Sequence, residues 1–299
     1  MRGRSFVSMC RLAGESRRAL RAFGPDAERF IQGTISGDVT QSRQRAVCAA
    51  MLTVKGKVVN DLVVVGDSRG LWLWLPAEEI DGAHARLDSH VIMDEVSFEQ
   101  PEELEAVLVL DPEWSIPAVT EASSLVVLPC EYPGVGVWVQ GERAAILAVV
   151  DGMEELSYDA WTQHRAEHGY PAWSKEIVPD VFPPEVGFVA AVSYDKGCFM
   201  GQEPLARIHA RGQVNRVMVR VEVAGDEQIL DVMPAPLRHE SRKDAGRLTT
   251  LAAARAVDAP RCGLAVVRRS LACIGTTLHT NEGVEVTVRS EALGDDDGI

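Results

Sequence analysis

Tyr194 to Arg216 reads YDKGCFMGQEPLARIHARGQVNR. In a chain otherwise dominated by Val, Leu and Ala, it gathers Lys196, Cys198, the pair Gln202 and Glu203, the arginines Arg207, Arg211 and Arg216, and His209 around Gly197, Gly201 and Gly212. Glycine reaches backbone angles closed to other residues and lets a ligand approach the main chain. Polar groups this dense, punctuated by glycine, predict a working loop rather than a packing element. A solvated surface turn has no use for Cys198, Phe199 and Met200 in its middle, so the functional reading is the stronger one.

Around this loop the chain is acidic. Its 299 residues carry a formal net charge of −14, which argues against nucleic acid or an anionic membrane as a partner, because both demand a basic surface. From Asp195 to Arg220 the balance reverses: Lys196, Arg207, Arg211, Arg216 and Arg220 face only Asp195 and Glu203. That basic island suggests a small anionic ligand, or ordinary charge clustering. A composition with 46% hydrophobic and 25% charged residues is that of a globular protein with two or three domains. No apolar run approaches a bilayer span, and MRGRSFVSMCRLAGES lacks the apolar stretch of a signal peptide, so a cytoplasmic protein is expected. The six cysteines (Cys10, Cys48, Cys130, Cys198, Cys262, Cys273) are scattered without a C-x-x-C pair or a nearby His, which predicts neither disulfides nor a metal site. Five read as small core hydrophobes. Cys198, beside Lys196 and Gly197, reads as the reactive one.

Upstream, Arg18 to Phe23 alternates like a strand, and Pro25 opens a helix that Gly33 ends. Ala46 to Val54 and Val58 to Val65 form a hairpin through Lys55-Gly56-Lys57; Leu71 to Leu75 (LWLWL) is a strand buried on both faces. Ala77 to His90 has helical spacing. Strands follow over Val91–Phe98, Leu104–Leu110, Leu125–Leu128 and Val135–Val139, then a helix over Glu142–Val150. Ser157 to Gly169 is a further helix, capped by Ser157 and stopped by Gly169. Beyond Arg216, short runs at Val217–Val223, Gly246–Thr250, Leu264–Arg268 and Val284–Val288 predict a small β-barrel. The absence of regular βαβ alternation gives an α+β class with mainly antiparallel sheets. The acidic tail, residues 293–299, is expected to be disordered.

KGCFMGQE (Lys196 to Glu203) resembles the K-G-C-[FY]-x-G-Q-E signature of the YgfZ-type folate-binding proteins and their mitochondrial iron–sulfur assembly relatives, paralogues of the glycine-cleavage T-protein, an aminomethyltransferase. FIQGTISGDV (Phe30 to Val39) is similar to the family's F-x-Q-G-x-x-x-x-D-V, KGKVVNDL (Lys55 to Leu62) to its K-G-[KR] strand pair, and RAEHGYP (Arg165 to Pro171) to the helix end that meets the folate pterin in the T-protein. The resemblance runs from about Arg18 to Arg269. It implies a three-subdomain cloverleaf: a folate-binding region of two interleaved subdomains over residues 1–212, and a C-terminal β-barrel over 213–292. It implies tetrahydrofolate, or a one-carbon derivative, as the cofactor. Trp161 and Glu167 then line the pterin pocket, Glu167 as acceptor for its N–H groups and Trp161 as a stacking face. By themselves the two residues read as a core Trp and a solvated helix-end Glu.

Asp61 matches the carboxylate near the reacting folate nitrogen in the T-protein, an acid that many YgfZ-type proteins lack. It reads equally as a strand-end Asp bonded to a turn. Lys196 is expected to neutralise the ligand's carboxylates or to favour the Cys198 thiolate through its charge. Arg207 joins the ligand-binding set, while Gly197, Gly201, Gln202 and Glu203 shape the loop. Phe199 stands where the family usually has Tyr, so that hydroxyl is dispensable; Arg18 replaces an aromatic found in some relatives.

The resemblance implies a folate-dependent accessory factor for iron–sulfur cluster assembly or repair. Its clients would be [4Fe-4S] enzymes, the radical enzyme that methylthiolates tRNA among them. Its partners would be client or assembly proteins, with a monomer as the default state. An aminomethyltransferase or demethylase acting through Asp61 and a non-catalytic folate scaffold are the alternatives. Thiol reactivity at Cys198 separates them.

Overall fold

The computed structural model describes residues 4–12, 14–114, 125–212, 214–224, 233–256 and 259–294. Its first half runs β1 (Ser5–Ser8), β2 (Arg17–Phe23), α1 (Ala27–Thr34), β3 (Val47–Leu52), β4 (Val58–Asp67), β5 (Gly70–Pro76), α2 (Ile80–His90), β6 (Ser97–Glu99) and β7 (Leu104–Val109). There follow β8 (Val126–Cys130), β9 (Gly136–Glu142), α3 (Arg143–Val149), β10 (Glu154–Glu155), α4 (Tyr158–His168) and α5 (Gln202–Arg211). The last strands are β11 (Arg216–Val223), β12 (Ala235–His239), β13 (Arg242–Leu251), β14 (Arg261–Arg268), β15 (Thr277–Thr280) and β16 (Glu285–Val288).

These elements make an α+β fold of two five-stranded sheets and a closed barrel, with neighbours almost all antiparallel. One sheet has the order β3-β4-β5-β2-β6. Strand alternation turns Leu20, Leu62, Val64, Leu71 and Leu73 to one face, where Ile31 of α1 and Ile80 and Leu87 of α2 close a core. The other has the order β10-β1-β7-β9-β8. It buries Val107, Val109, Val137 and Val139 against Ile146 and Val149 of α3. The opposite faces of the two sheets meet through β5 and β9: Trp74 and Trp138 pack edge to face at 5.6 Å, and Trp74 Nε1–H donates to Gln140 Oε1 at 2.8 Å. This explains why LWLWL is buried on both faces.

The barrel has the order β11-β14-β13-β12-β15-β16 and closes where Val221 pairs with Val288. Inward residues such as Val217, Val219, Leu248, Ala265, Val267, Leu278 and Val286 fill it. The chain divides into two compact units: Met1–Ser157 with Ala190–Glu203, and Tyr158–Val189 with Pro204–Ile299. In this division helix α4 groups with the barrel, and both five-stranded sheets lie in the first unit. Among the described residues, no helix is long and apolar enough to cross a membrane.

Several local expectations are corrected. Gly33 lies inside α1, which ends at Thr34 with Ile35 as cap. Of the strand expected over Val91–Phe98 only Ser97 and Phe98 pair, within β6, and β1, β10, β12 and β15 have no counterpart among the expected strands. The second half of the expected working loop is helix α5. Pro204 is tolerated in its first turn, where no intrahelical N–H is needed. Gly212, at φ +63°, ends it. The acidic tail beyond Gly294 lies outside the described residues.

Candidate functional site

Lys196 is the anchor of the Cys198 loop. Its Nζ donates to three main-chain carbonyls, Gln32 O at 2.6 Å, Ile35 O at 2.7 Å and Gly37 O at 2.7 Å. These lie at and just beyond the C-terminal end of α1, where carbonyls lack helical partners and the dipole favours a cation. An ammonium has three protons, so its donor capacity is filled. The expected role in neutralising a ligand is accordingly corrected: Lys196 is a clamp. Burial pulls its pKa down to about 8, against the opposing pull of the Asp38 carboxylate. The Phe199 ring lies under the same ammonium, 4.9 Å from centroid to Nζ, and is buried.

Two further contacts pin the loop. Met200 N–H donates to Gly33 O at 3.1 Å. Gly201, at φ +81°, approaches the β3–β4 hairpin so closely that a Cβ there would sit 2.5 Å from Thr53 O. Gly197 is different: it has no positive φ, and open space surrounds its Cα. Between these pins the Cys198 thiol is exposed. Gln202 and Glu203 open α5, Glu203 in the first turn where the dipole favours an acid, and Arg207 is exposed further along it.

The other cysteines do not all behave as expected. Cys48 and Cys130 are buried, and burial pushes the Cys130 thiol up to about 12. Cys10 and Cys262 are half-buried, and Cys273 is exposed, a correction to its reading as core. Among the described residues, no group of three or more His, Cys, Asp or Glu could hold a metal ion.

Asp61 projects from β4 into the layer between the two sheets and is fully buried. One carboxylate oxygen, Oδ2, accepts from both Arg17 Nη2 and the Tyr132 hydroxyl. Arg17 Nη1 also donates to Trp74 O at 3.3 Å. Burial works against the Arg17 cation, but the Asp61 charge more than offsets it and holds the guanidinium protonated. Burial, with the same charge, pushes the Tyr132 phenol well above its usual range. This is a sealed ion pair rather than a reagent open to substrate. Arg17 and Tyr132 were missed in the sequence; an acid, Asp61, next to the apolar run Leu62–Val65 of β4 was the one sign that a cation had to meet it.

In the second unit, α4 places Trp161 and Glu167. Trp161 is fully buried and stacks on His164 at 5.6 Å; His164 stacks in turn on His168 at 4.2 Å. Burial, reinforced by His168, pulls the His164 pKa down to about 4. Trp161 thus supports a stack and offers no open face of its own. Gly169, at φ +78°, stops the helix, and buried Arg165 holds its end by donating to Tyr170 O at 2.9 Å and to Glu176 Oε2 at 3.2 Å. Glu167 is partly exposed. Its Oε1 accepts from Arg255 and, at 2.6 Å, from Gln163 Nε2, while Oε2 has no partner among the described residues.

No protein-family model matches the chain. It is 24% identical over 213 residues to the tRNA-modifying protein YgfZ of Vibrio atlanticus, covering 67% of this chain and 65% of that protein. With the mitochondrial iron-sulfur cluster assembly factor IBA57 of Mus musculus it shares 24% identity over 252 residues, 75% of this chain and 69% of the other. The aligned part spans about two thirds of the length of these curated relatives. Among solved structures, the glycine cleavage system aminomethyltransferase T of Bartonella henselae matches with a TM-score of 0.76 at 15% identity, over 99% of this chain and 87% of that one. That likeness establishes the fold.

Proposed function

We propose that this chain, a YgfZ/IBA57-type protein on the aminomethyltransferase fold, is a tetrahydrofolate-binding accessory factor for the assembly or repair of iron–sulfur clusters. Its clients are [4Fe-4S] enzymes, tRNA-modifying ones among them, and it acts as a cytoplasmic monomer. The observation that carries this reading is the Cys198 loop. A loop pinned at Lys196, Met200 and Gly201 holds one thiol in solvent at a defined place. Such a thiol suits transient coordination of iron as the thiolate, or attack on the outer sulfur of a partner's persulfide, which takes that sulfur and releases the partner's thiol. A stable cluster normally takes four protein ligands, so any cluster contact is shared with that partner.

For the folate, the acceptor half of the pterin subsite fits: Glu167 Oε2, without a partner among the described residues, can accept a ring N–H. The stacking half does not come from Trp161, which is buried. When bound, the folate supplies one-carbon or electron-carrying chemistry; Glu167 orients it and Arg165 holds the helix end that carries Glu167. Arg207, exposed on α5, serves the anionic part of the ligand. The transferase alternative through Asp61 loses its support in the Arg17–Asp61–Tyr132 arrangement, because a carboxylate with no exposure cannot reach a substrate.

Complementation tests the proposal. A bacterium lacking its own YgfZ-type protein receives wild type, Cys198→Ala or Glu167→Ala, and a [4Fe-4S] enzyme and tRNA methylthiolation are assayed. Rescue by wild type, lost in Cys198→Ala and reduced in Glu167→Ala, is expected. Failure of a folded, expressed wild type would sink the iron–sulfur reading.

A further inference from the structure

Glu167 does not stand alone at the end of α4. Arg255, in the segment that follows β13, meets its Oε1, with 71% of the arginine side chain and 33% of the carboxylate side chain exposed. Gln163 Nε2 fixes the same oxygen at 2.6 Å while also reaching Cys262 Sγ at 3.0 Å, and Arg220 Nη1 holds the main chain by donating to Glu167 O at 2.8 Å. The carboxylate is therefore braced through one oxygen and the backbone. What remains open is Oε2, an acceptor, and beside it the N–H groups of Arg255 other than the one bonded to Glu167; neither has a partner among the described residues.

An open acceptor next to open donors has a specific complement. It is a ring edge that presents N–H beside C=O, as in a 2-amino-4-oxopyrimidine. Pterins and guanine share this edge. The geometry points to Arg255 as the residue that sets ligand specificity at the pterin subsite: Glu167 accepts the ring N–H groups and Arg255 donates to the 4-oxo oxygen. This rests on the folate reading above. A 4-amino ring turns an N–H toward Arg255, donor against donor, and is rejected. A site built to hydrogen-bond one group discriminates strongly against an analogue that cannot complete the bond.

Folic acid and aminopterin differ at this position by 4-oxo against 4-amino, so they form the test pair. The full chain and its Arg255→Ala and Arg255→Lys variants are titrated calorimetrically with both, with tetrahydrofolate, and with guanosine. The wild type is expected to bind tetrahydrofolate and to favour folic acid over aminopterin by at least about 10-fold. In Arg255→Ala the preference falls by at least about 3-fold, the remainder resting on Glu167, which accepts the N3–H that the neutral 4-amino ring lacks, while Arg255→Lys, still a donor but not a fork, keeps more of it. Thermal melts of the variants should match the wild type, because Arg255 is exposed. An unchanged preference in Arg255→Ala overturns this inference and leaves the folate reading standing. A wild type that binds none of the three folates overturns both. Binding of guanosine in their place overturns the pterin assignment.

Discussion

Lys196 shows how one side chain can fix a loop at the scale of a residue. It satisfies three carbonyls around the end of α1, and the cost of removing it is that of leaving those acceptors without a donor. Lys196→Met, which keeps the length of the side chain, should destabilise the protein by about 2 kcal/mol. Urea unfolding checks this; an unchanged midpoint would show that the clamp holds nothing. Cys198, exposed a few atoms away, should be replaceable by Ala without that loss. The importance of KGC was legible from its density of chemistry. The division of labour within it was not, because Lys196 finds its partners 159 to 164 residues away in sequence.

Helix α4 carries a titration at the scale of an element. His164 stays neutral down to about 4 in the folded chain, against an ordinary value of 6.5. Between those values the unfolded state binds the extra proton, so stability falls as pH drops from 6.5 toward about 4. His164→Gln should lose less stability over that window than the wild type, a difference read from urea midpoints at pH 7, 6, 5 and 4. Equal slopes would mean that the stack with Trp161 and His168 does not bury the ring as described. The helix itself was legible from Ser157 to Gly169, and so were α2, α3 and the β3–β4 hairpin, because periodicity and glycine stops are local signals. Helix α5 was not. Its polar, Arg-rich face and its Pro204 resemble a loop until the buried Leu205 gives it a side to pack.

The whole molecule carries a formal charge of −14, and this governs its long-range encounters. Direct binding of tRNA should therefore be weak even though the proposed clients include tRNA-modifying enzymes. In a gel-shift titration at 150 mM salt, a Kd weaker than about 10 μM is expected, in the range of nonspecific contact. Submicromolar binding with a steep salt dependence would contradict the reading that the partners are proteins. The charge total was available from composition alone. Two of the barrel's strands were not, since β12 and β15 are only five and four residues long.

The sequence by itself determined the α+β class, most helices and strands, the resemblance carried by KGCFMGQE, and the acidic surface, because these depend on local pattern, on spacing along the chain, or on a simple sum. Only the tertiary structure decided which groups Asp61, Lys196, Trp161 and Glu167 meet. Asp61 is sealed by Arg17 and Tyr132, 44 and 71 residues away, and Glu167 is braced by Arg255 at a separation of 88. A polar side chain takes its role from whichever groups the fold brings within hydrogen-bonding distance and from how much water it leaves there, and neither quantity is written in the residue's own neighbourhood of the chain.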